Sequence, residues 1–90
     1  MRVKVRYQGA FAEAAHAREA VYEFVSATVD SLIDYLLQKN EEKFRFLMID
    51  PITGKIRSGT TILVNGQRMD LYHVLNDRDV VTFLSPLAGG

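Results

Sequence analysis

The chain has 90 residues, with 11 basic and 11 acidic side chains and no cysteine. This length allows one small domain, and a composition of 48% hydrophobic and 24% charged residues is typical of a soluble globular protein. Balanced charge argues against nucleic acid or an anionic membrane as a partner, because both attract concentrated positive charge. No apolar run approaches the ~20 residues that span a bilayer, and the first residues do not form a signal peptide, so we expect a cytoplasmic protein.

The residue types also limit the chemistry that the chain can perform. Without cysteine there is no disulfide, no thiolate metal site and no nucleophilic thiol. The two histidines, His16 and His73, are too few and too isolated to form a zinc site, so we expect no metal site. No glycine-rich phosphate loop and no common hydrolase motif is present. The sequence is therefore poorly equipped to act as an enzyme on its own.

The first 25 residues predict two strands joined by a short helical turn. Apolar residues alternate with basic ones over residues 2–8, which is typical of a half-buried strand. The alanine-rich segment 10–17 predicts a helical turn, and alternation resumes over residues 18–25. We therefore expect a second strand at 18–25.

One long amphipathic helix is predicted next. Thr28 is a suitable N-cap, and apolar residues recur at helical spacing over residues 29–39. Asp30 and Asp34 lie off this apolar stripe, so we interpret them as solvent-facing helix residues. Residues 44–48 fit either another helical turn or a strand, and their periodicity alone does not decide between the two.

The second half of the chain predicts two further strands. A turn at residues 51–54 precedes a strand at 60–65, and Asn65-Gly66 is typical of a type I′ hairpin. Residues 69–75 predict an irregular connector, and the last strand occupies 80–84. Strands on both sides of a single long helix indicate an α+β fold, with a mixed sheet packed on one main helix.

The predicted sheet has more apolar residues than one helix can cover. Leu63, Val80 and Leu84 fall on the face opposite to their apolar strand neighbours. Some of them should remain exposed and bind a protein partner on the open face of the sheet. The alternative is that segment 41–57 or segment 66–75 folds over this face.

The sequence ends in Ser85-Pro86-Leu87-Ala88-Gly89-Gly90. Pro86 cannot donate a hydrogen bond to a sheet, so regular pairing should stop there. Glycine has no Cβ, so Gly89 and Gly90 can enter a channel that is too narrow for other residues. At average composition, a Gly-Gly ending arises by chance with a probability of about 0.5%.

With this ending, the sequence resembles the β-grasp sulfur carriers. The match is best to the small subunit of molybdopterin synthase (MoaD), within a group that includes the thiamin sulfur carrier ThiS and ubiquitin-like modifiers. Four motifs carry the resemblance: Thr28-Val29-x-x-Leu32, Ile62-Leu63-Val64-Asn65-Gly66, Asp77-Arg78-Asp79-Val80-Val81 and Pro86-Leu87-Ala88-Gly89-Gly90. The chain departs from the family pattern at Arg78, where glycine is usual, and at Ser85, where the family often has a first proline.

The resemblance implies a β-grasp domain at residues 1–85, a flexible tail at 86–90 and a non-catalytic, sulfur-carrying role. Gly90 would be adenylated and then converted to a thiocarboxylate, with Gly89 as the narrow neck of the tail. The family's partners are a ubiquitin-activating-like adenylyltransferase of the MoeB/ThiF type and a molybdopterin synthase large subunit of the MoaE type. ATP–Mg and zinc would belong to the activating partner, and the carrier itself would bind no cofactor. The expected partner contacts are Phe83, Pro86, Leu87 and Ala88.

Three other functions share these sequence features. The same activated Gly90 could be joined to lysines of other proteins, as in a ubiquitin-like modifier. A carrier of this kind could also supply sulfur for tRNA thiolation instead of molybdopterin. Finally, the domain could be a binding module in which the Gly-Gly ending is incidental.

Overall fold

A five-stranded mixed sheet packs on three helices in the computed structural model, which describes residues 1–87. The elements are β1 (Arg2–Tyr7), α1 (Ala10–Ala15), β2 (Glu19–Glu23), α2 (Val29–Lys39), α3 (Glu42–Met48), β3 (Thr61–Val64), β4 (Gln67–Arg68) and β5 (Val80–Leu84). The strand order is β2-β1-β5-β3-β4. The central pair, β1 and β5, is parallel, and the other pairs are antiparallel. The predicted α+β class and the mixed sheet are confirmed.

The long helix α2 begins at the predicted N-cap. The Thr28 hydroxyl accepts the backbone N–H of Ser31 at 3.1 Å, and the Ser31 hydroxyl accepts the N–H of Thr28 at 2.8 Å. This reciprocal pair satisfies two N–H groups that the first helical turn would otherwise leave without partners. Both Asp30 and Asp34 are exposed, as predicted.

The core lies between the helices and one face of the sheet. Its centre is aromatic: the rings of Phe11 and Phe44 are 5.3 Å apart, and Tyr7 meets Phe44 edge-on at 5.8 Å. Phe83 on β5 completes this cluster, at 6.3 Å from Phe11. Such edge-on and tilted pairs are favourable beyond the area that they bury.

Residues 44–48, which the pattern left undecided, are helical. Phe44, Leu47 and Met48 lie on the buried face of α3, whereas Phe46 points outward and is 55% exposed. Ile49 and Ile56 pack against the same core, as do Met69 and Leu71 from the connector. These four side chains of segments 41–57 and 66–75 thus pack on the helical side of the sheet, whereas Ile52, Tyr72 and Val74 of the same segments are exposed. That one of these segments also covers the open face stays a prediction.

A buried polar cluster anchors the start of β5. The Asp79 carboxylate, only 7% exposed, accepts hydrogen bonds from the Asn65 side-chain amide at 2.9 Å and from the Asn76 backbone at 2.8 Å. In turn, the Asn65 side-chain carbonyl accepts the Val80 N–H at 2.9 Å. The β3–β4 hairpin is thereby tied to the first residue of the last strand.

Arg78 occupies the turn position at which the resembling family usually has glycine. Its φ of +69° is in the left-handed region, and its N–H donates to the Arg2 carbonyl at 2.6 Å. The chain therefore keeps a backbone conformation that favours glycine while using a residue that adopts it at a cost.

Candidate functional site

The last strand carries the chain to one end of the sheet, next to the loop that follows β1. Because β1 and β5 are parallel, Leu84 emerges beside Gln8 and Gly9, and the Gln8 N–H donates to the Phe83 carbonyl at 3.2 Å. A surface pocket of about 160 Å³ is formed there, lined by Gln8, Gly9, Ala10, Leu84, Ser85 and Leu87. We call residues 85–87 the tail base, because they begin the C-terminal segment singled out in the sequence.

Two contacts define the path of the tail base. The Ser85 hydroxyl accepts the Leu87 N–H at 3.0 Å, which closes a local turn. Pro86 lies against the backbone of Gly59, where a Cβ atom would come within 3.1 Å of the Pro86 Cβ. The contact between Pro86 and Gly59 could not be predicted from the sequence, because the two residues are far apart in the chain.

The predicted site residues are distributed differently from what the sequence suggested. Pro86 and Leu87 are exposed at the tail base, where a partner can reach them. The prediction that Phe83 contributes to the docking face is wrong, because its side chain is fully buried. In a strand, alternate residues point to opposite faces, and Phe83 points into the core. Ala88, Gly89 and Gly90 lie outside the described residues, so their roles stay predictions.

The open face of the sheet carries an apolar surface that continues into the tail base. We call Leu63, Val80, Thr82 and Leu84 the open-face patch; each is half-buried, and none belongs to the core cluster. Leu63 lies directly opposite Thr82 in the β3–β5 pairing, so it is diagonal to both Val80 and Leu84. Leu84 immediately precedes Ser85, so this surface and the tail base are continuous along the chain.

Basic side chains border the open-face patch on both sides. On β1, Lys4 pairs with Val80 and Arg6 with Thr82, while Arg68 on β4 pairs with Leu63. Lys4 forms an ion pair with Glu19 at 3.4 Å. Within residues 1–87, neither Arg6 nor Arg68 has a carboxylate partner within 4.0 Å. Two exposed guanidinium groups are thus free to pair with acidic groups of a partner.

The region around α1 offers no catalytic group that the sequence overlooked. His16 ends α1 in a left-handed conformation, as expected for a turn residue, and lines an open groove with Glu13 and Arg18. Burial and a hydrogen bond with the Tyr22 hydroxyl at 3.1 Å raise the pKa of Tyr7 far above its usual value. A phenol of this kind stays protonated at neutral pH, so Tyr7 acts as a structural donor or acceptor.

Neither a metal centre nor a membrane helix is found in the described part of the chain. Residues 1–87 contain no group of three or more His, Cys, Asp or Glu side chains that could hold a metal ion. None of the helices between residues 1 and 87 has the length and hydrophobicity needed to cross a membrane.

Comparison with solved structures supports the fold. The putative molybdopterin converting factor subunit 1 from Pyrococcus furiosus is 28% identical, with a TM-score of 0.76 and coverage of 97% of this chain and 99% of that one. Small archaeal modifier protein 1 (SAMP1) from Methanosarcina acetivorans is 22% identical, with a TM-score of 0.81 and coverage of 99% and 96%. In a complex of subunits 1 and 2 of the Helicobacter pylori molybdopterin-converting factor, the matching chain is 24% identical, with a TM-score of 0.59 and full coverage of both chains.

A family model identifies the chain more directly. The model of the ThiS family matches residues 5–90, which is nearly the whole sequence and includes the C-terminal Gly-Gly. No curated protein sequence matches the chain. The sheet order, the single long helix and the matched solved structures confirm the predicted β-grasp fold. The chain therefore belongs to the ThiS family, the ubiquitin-like β-grasp proteins that include sulfur carriers and protein modifiers.

Proposed function

We propose that this chain is a sulfur carrier that supplies sulfur for molybdopterin synthesis, as the small subunit of a molybdopterin synthase. The proposal takes Gly90 as the carboxyl-terminal residue. Its carboxylate attacks the α-phosphate of ATP, pyrophosphate leaves, and an acyl adenylate forms. A sulfide nucleophile then attacks the acyl carbon, AMP leaves, and Gly90 carries a thiocarboxylate. In this proposal, ATP–Mg²⁺ and zinc are held by the activating adenylyltransferase.

The observation that carries the proposal is the continuity of the tail base with the open-face patch. A carrier needs a surface that a partner can bind and a reactive end that reaches into the partner's active site. Leu84 belongs to the patch, and Pro86 and Leu87 follow it directly at an exposed position. Gly90 is three residues beyond Leu87, a distance of at most about 10 Å along the chain. A partner bound to the patch would therefore have Gly90 within reach.

The occupant that we assign to the open-face patch is the activating adenylyltransferase. Its surface should be apolar opposite Leu63 and Leu84, with acidic groups placed to meet Arg6 and Arg68. Charge complementarity of this kind raises the association rate and sets the register of docking. The complex of two molybdopterin-converting factor subunits from H. pylori supports a second partner, a large subunit, for this chain.

Removal of Gly89 and Gly90 tests the carrier function. The truncated chain should fold as the full chain does, because the core cluster and the five strands described for this domain all lie within residues 1–84. Sulfur transfer to the molybdopterin precursor in the presence of the large subunit should be abolished, while the urea midpoint of unfolding should stay unchanged. Sulfur transfer by the truncated chain would reject the proposal.

A charge substitution in the patch tests the docking role separately. Leu63→Glu places a carboxylate at the centre of the patch, opposite the acidic groups that we expect on the partner. We expect the Kd for the adenylyltransferase to rise on the order of tenfold or more. Val21→Glu is the matched control, because Val21 is 52% exposed on β2, an edge strand away from β5. Equal effects of the two substitutions would contradict docking at the patch.

A second candidate function is protein modification. The likeness to small archaeal modifier protein 1 favours it, and its activation step at Gly90 is the same as in the carrier. The two functions differ in the nucleophile that attacks the activated acyl carbon of Gly90. This nucleophile is a sulfide in the carrier and a lysine amine in the modifier. Cell lysates probed for covalent conjugates distinguish them, since conjugates that disappear when Gly89 and Gly90 are removed would indicate modification.

A further inference from the structure

We infer that Gly59 and Ser85 are positioning residues that set the direction in which the tail leaves the domain. This inference rests on the proposed function, because the direction of the tail matters only if Gly90 has to reach a partner's active site. It goes beyond that function by giving a role to Gly59, which lies in a distant loop, and to Ser85, the first residue of the tail base.

Gly59 belongs to a loop that is fixed to α3. The Arg57 N–H donates to the Met48 carbonyl at 2.9 Å, and its guanidinium Nε donates to the Phe46 carbonyl at 2.8 Å. The guanidinium carbon Cζ lies 4.6 Å from the centre of the Phe46 ring. The Thr60 N–H closes the loop on the Arg57 carbonyl at 3.1 Å. The loop is therefore held to helix α3 by contacts that do not involve Pro86.

The absence of a side chain at Gly59 lets Pro86 pack against this loop. A Cβ at residue 59 would lie 3.1 Å from the Pro86 Cβ and 3.8 Å from its Cγ. The first distance is too short for a comfortable carbon–carbon contact, so with a Cβ at residue 59 either Pro86 or the loop has to shift by a few tenths of an ångström. The proline ring also fixes its own φ, so a shift of Pro86 changes the direction of the residues that follow.

Ser85 holds the other side of the tail base. Its hydroxyl accepts the Leu87 N–H at 3.0 Å, which bends residues 85–87 toward the pocket lined by Gln8 and Gly9. The loop at Gly59 and the turn at Ser85 thus constrain three consecutive residues directly before Ala88-Gly89-Gly90. The resembling family often has proline at position 85. Here Ser85 keeps the turn ordered through its hydrogen bond with the Leu87 N–H.

The test compares Gly59→Ala with Gly66→Ala. Both glycines have similar positive φ values, +88° and +83°, so alanine should lower the Tm by a similar amount at either position. Only residue 59 faces Pro86, because a Cβ at residue 66 meets nothing within 4 Å. We expect Gly59→Ala to lower the kcat of adenylation on the order of tenfold while changing the KM for the carrier less than about twofold. Gly66→Ala should change neither constant by more than about twofold.

Two outcomes would overturn the inference. Equal kcat values for the two alanine variants would show that the contact with Pro86 does not direct the tail. A rise in KM without a fall in kcat would show that Gly59 acts on docking. The double variant Gly59→Ala/Pro86→Gly provides a further check, because Gly59→Ala should cause no additional loss once the Pro86 Cβ is removed.

Ser85 variants keep the inference testable if Gly59→Ala does not fold. Ser85→Ala removes the acceptor for the Leu87 N–H and should lower kcat, whereas Ser85→Thr retains a hydroxyl and should restore it. NMR separates this inference from the proposed function, since it needs no enzyme. Two NMR observations support the positioning role even if Gly90 is never adenylated. The first is a nuclear Overhauser contact between Gly59 and Pro86. The second is a chemical shift of the Leu87 amide that changes in Gly59→Ala and stays the same in Gly66→Ala. Absence of the contact in the wild-type chain would overturn it.

Discussion

Removal of the Asp79 carboxylate should be among the most destabilising polar substitutions in this domain. The carboxylate is 7% exposed and accepts two hydrogen bonds, from the Asn65 side chain and the Asn76 backbone. A hydrogen bond to a charged group contributes about 1.5–3 kcal/mol. Asn65 and Asn76 are both exposed, so their N–H groups can regain bonds to water, and we expect Asp79→Ala to cost about 2–4 kcal/mol in total.

This loss is large compared with the total stability of a domain of this size, which is about 5–13 kcal/mol. It corresponds to a fall in Tm of roughly 10–25 °C. Asp79→Asn retains one acceptor oxygen and presents an NH₂ group to the other donor, so it should cost about half as much. Urea unfolding of the wild type and both variants, with unchanged m-values, measures the order of the three free energies of unfolding.

A double-mutant cycle tests whether the hydrogen bond to Asn65 accounts for the stability lost in Asp79→Ala. Asn65→Gly is the suitable partner substitution, because Asn65 has a φ of +51° that glycine adopts without strain. Since the two side chains share a hydrogen bond at 2.9 Å, we expect a coupling of about 1 kcal/mol or more. Costs that add to within about 0.5 kcal/mol would refute the reasoning, as would an Asp79→Ala variant as stable as the wild type.

Three further predictions concern stability, and each is read from the free energy of unfolding in urea. Arg78→Gly should stabilise the domain by about 0.5–1 kcal/mol, because glycine adopts the φ of +69° without strain and only an exposed ion pair with Asp77 at 3.9 Å is lost. A lower free energy of unfolding for Arg78→Gly than for the wild type would contradict this prediction. Thr28→Ala should cost about 1 kcal/mol because α2 loses its N-cap hydrogen bond, whereas Thr28→Ser keeps the hydroxyl and should retain most of the wild-type stability. Equal stabilities of the two variants would show that the hydroxyl does not stabilise the helix. Phe44→Ala should cost about 3–5 kcal/mol, whereas Phe46→Ala, two residues away and 55% exposed, should cost far less; similar costs would contradict the assigned faces of α3.

Features encoded by local patterns were predicted well. Helix α2 has the predicted bounds, because its cap and its apolar stripe are both properties of consecutive residues. Strand β5 also has the predicted bounds, since β-branched residues lie between a turn and a proline. Strand β4 was not predicted, because two residues are too few to show a period, and it exists only through pairing with β3.

Features that depend on distant contacts could not be read from the sequence. Both faces of β5 are apolar, so alternation could not say whether Phe83 points into the core or toward a partner. The answer depends on Phe11, which lies on helix α1 and packs against Phe83 in the core. The contact between Gly59 and Pro86 also depends on tertiary structure, because no local sequence pattern around either residue predicts that they meet. The composition of the tail marks it in the sequence, but the contact of Pro86 with Gly59 became visible only in three dimensions.

The central claim, that Gly90 carries sulfur, is tested most directly by the intact mass of the chain after incubation with an adenylyltransferase, ATP and sulfide. We expect a mass gain equal to the replacement of one oxygen by sulfur, located at Gly90 by fragmentation and absent from the chain that lacks Gly89 and Gly90. An unchanged mass, under conditions that convert an established carrier to its thiocarboxylate, would contradict the claim. A lysine conjugate without any gain of sulfur would contradict it as well and would favour the modifier.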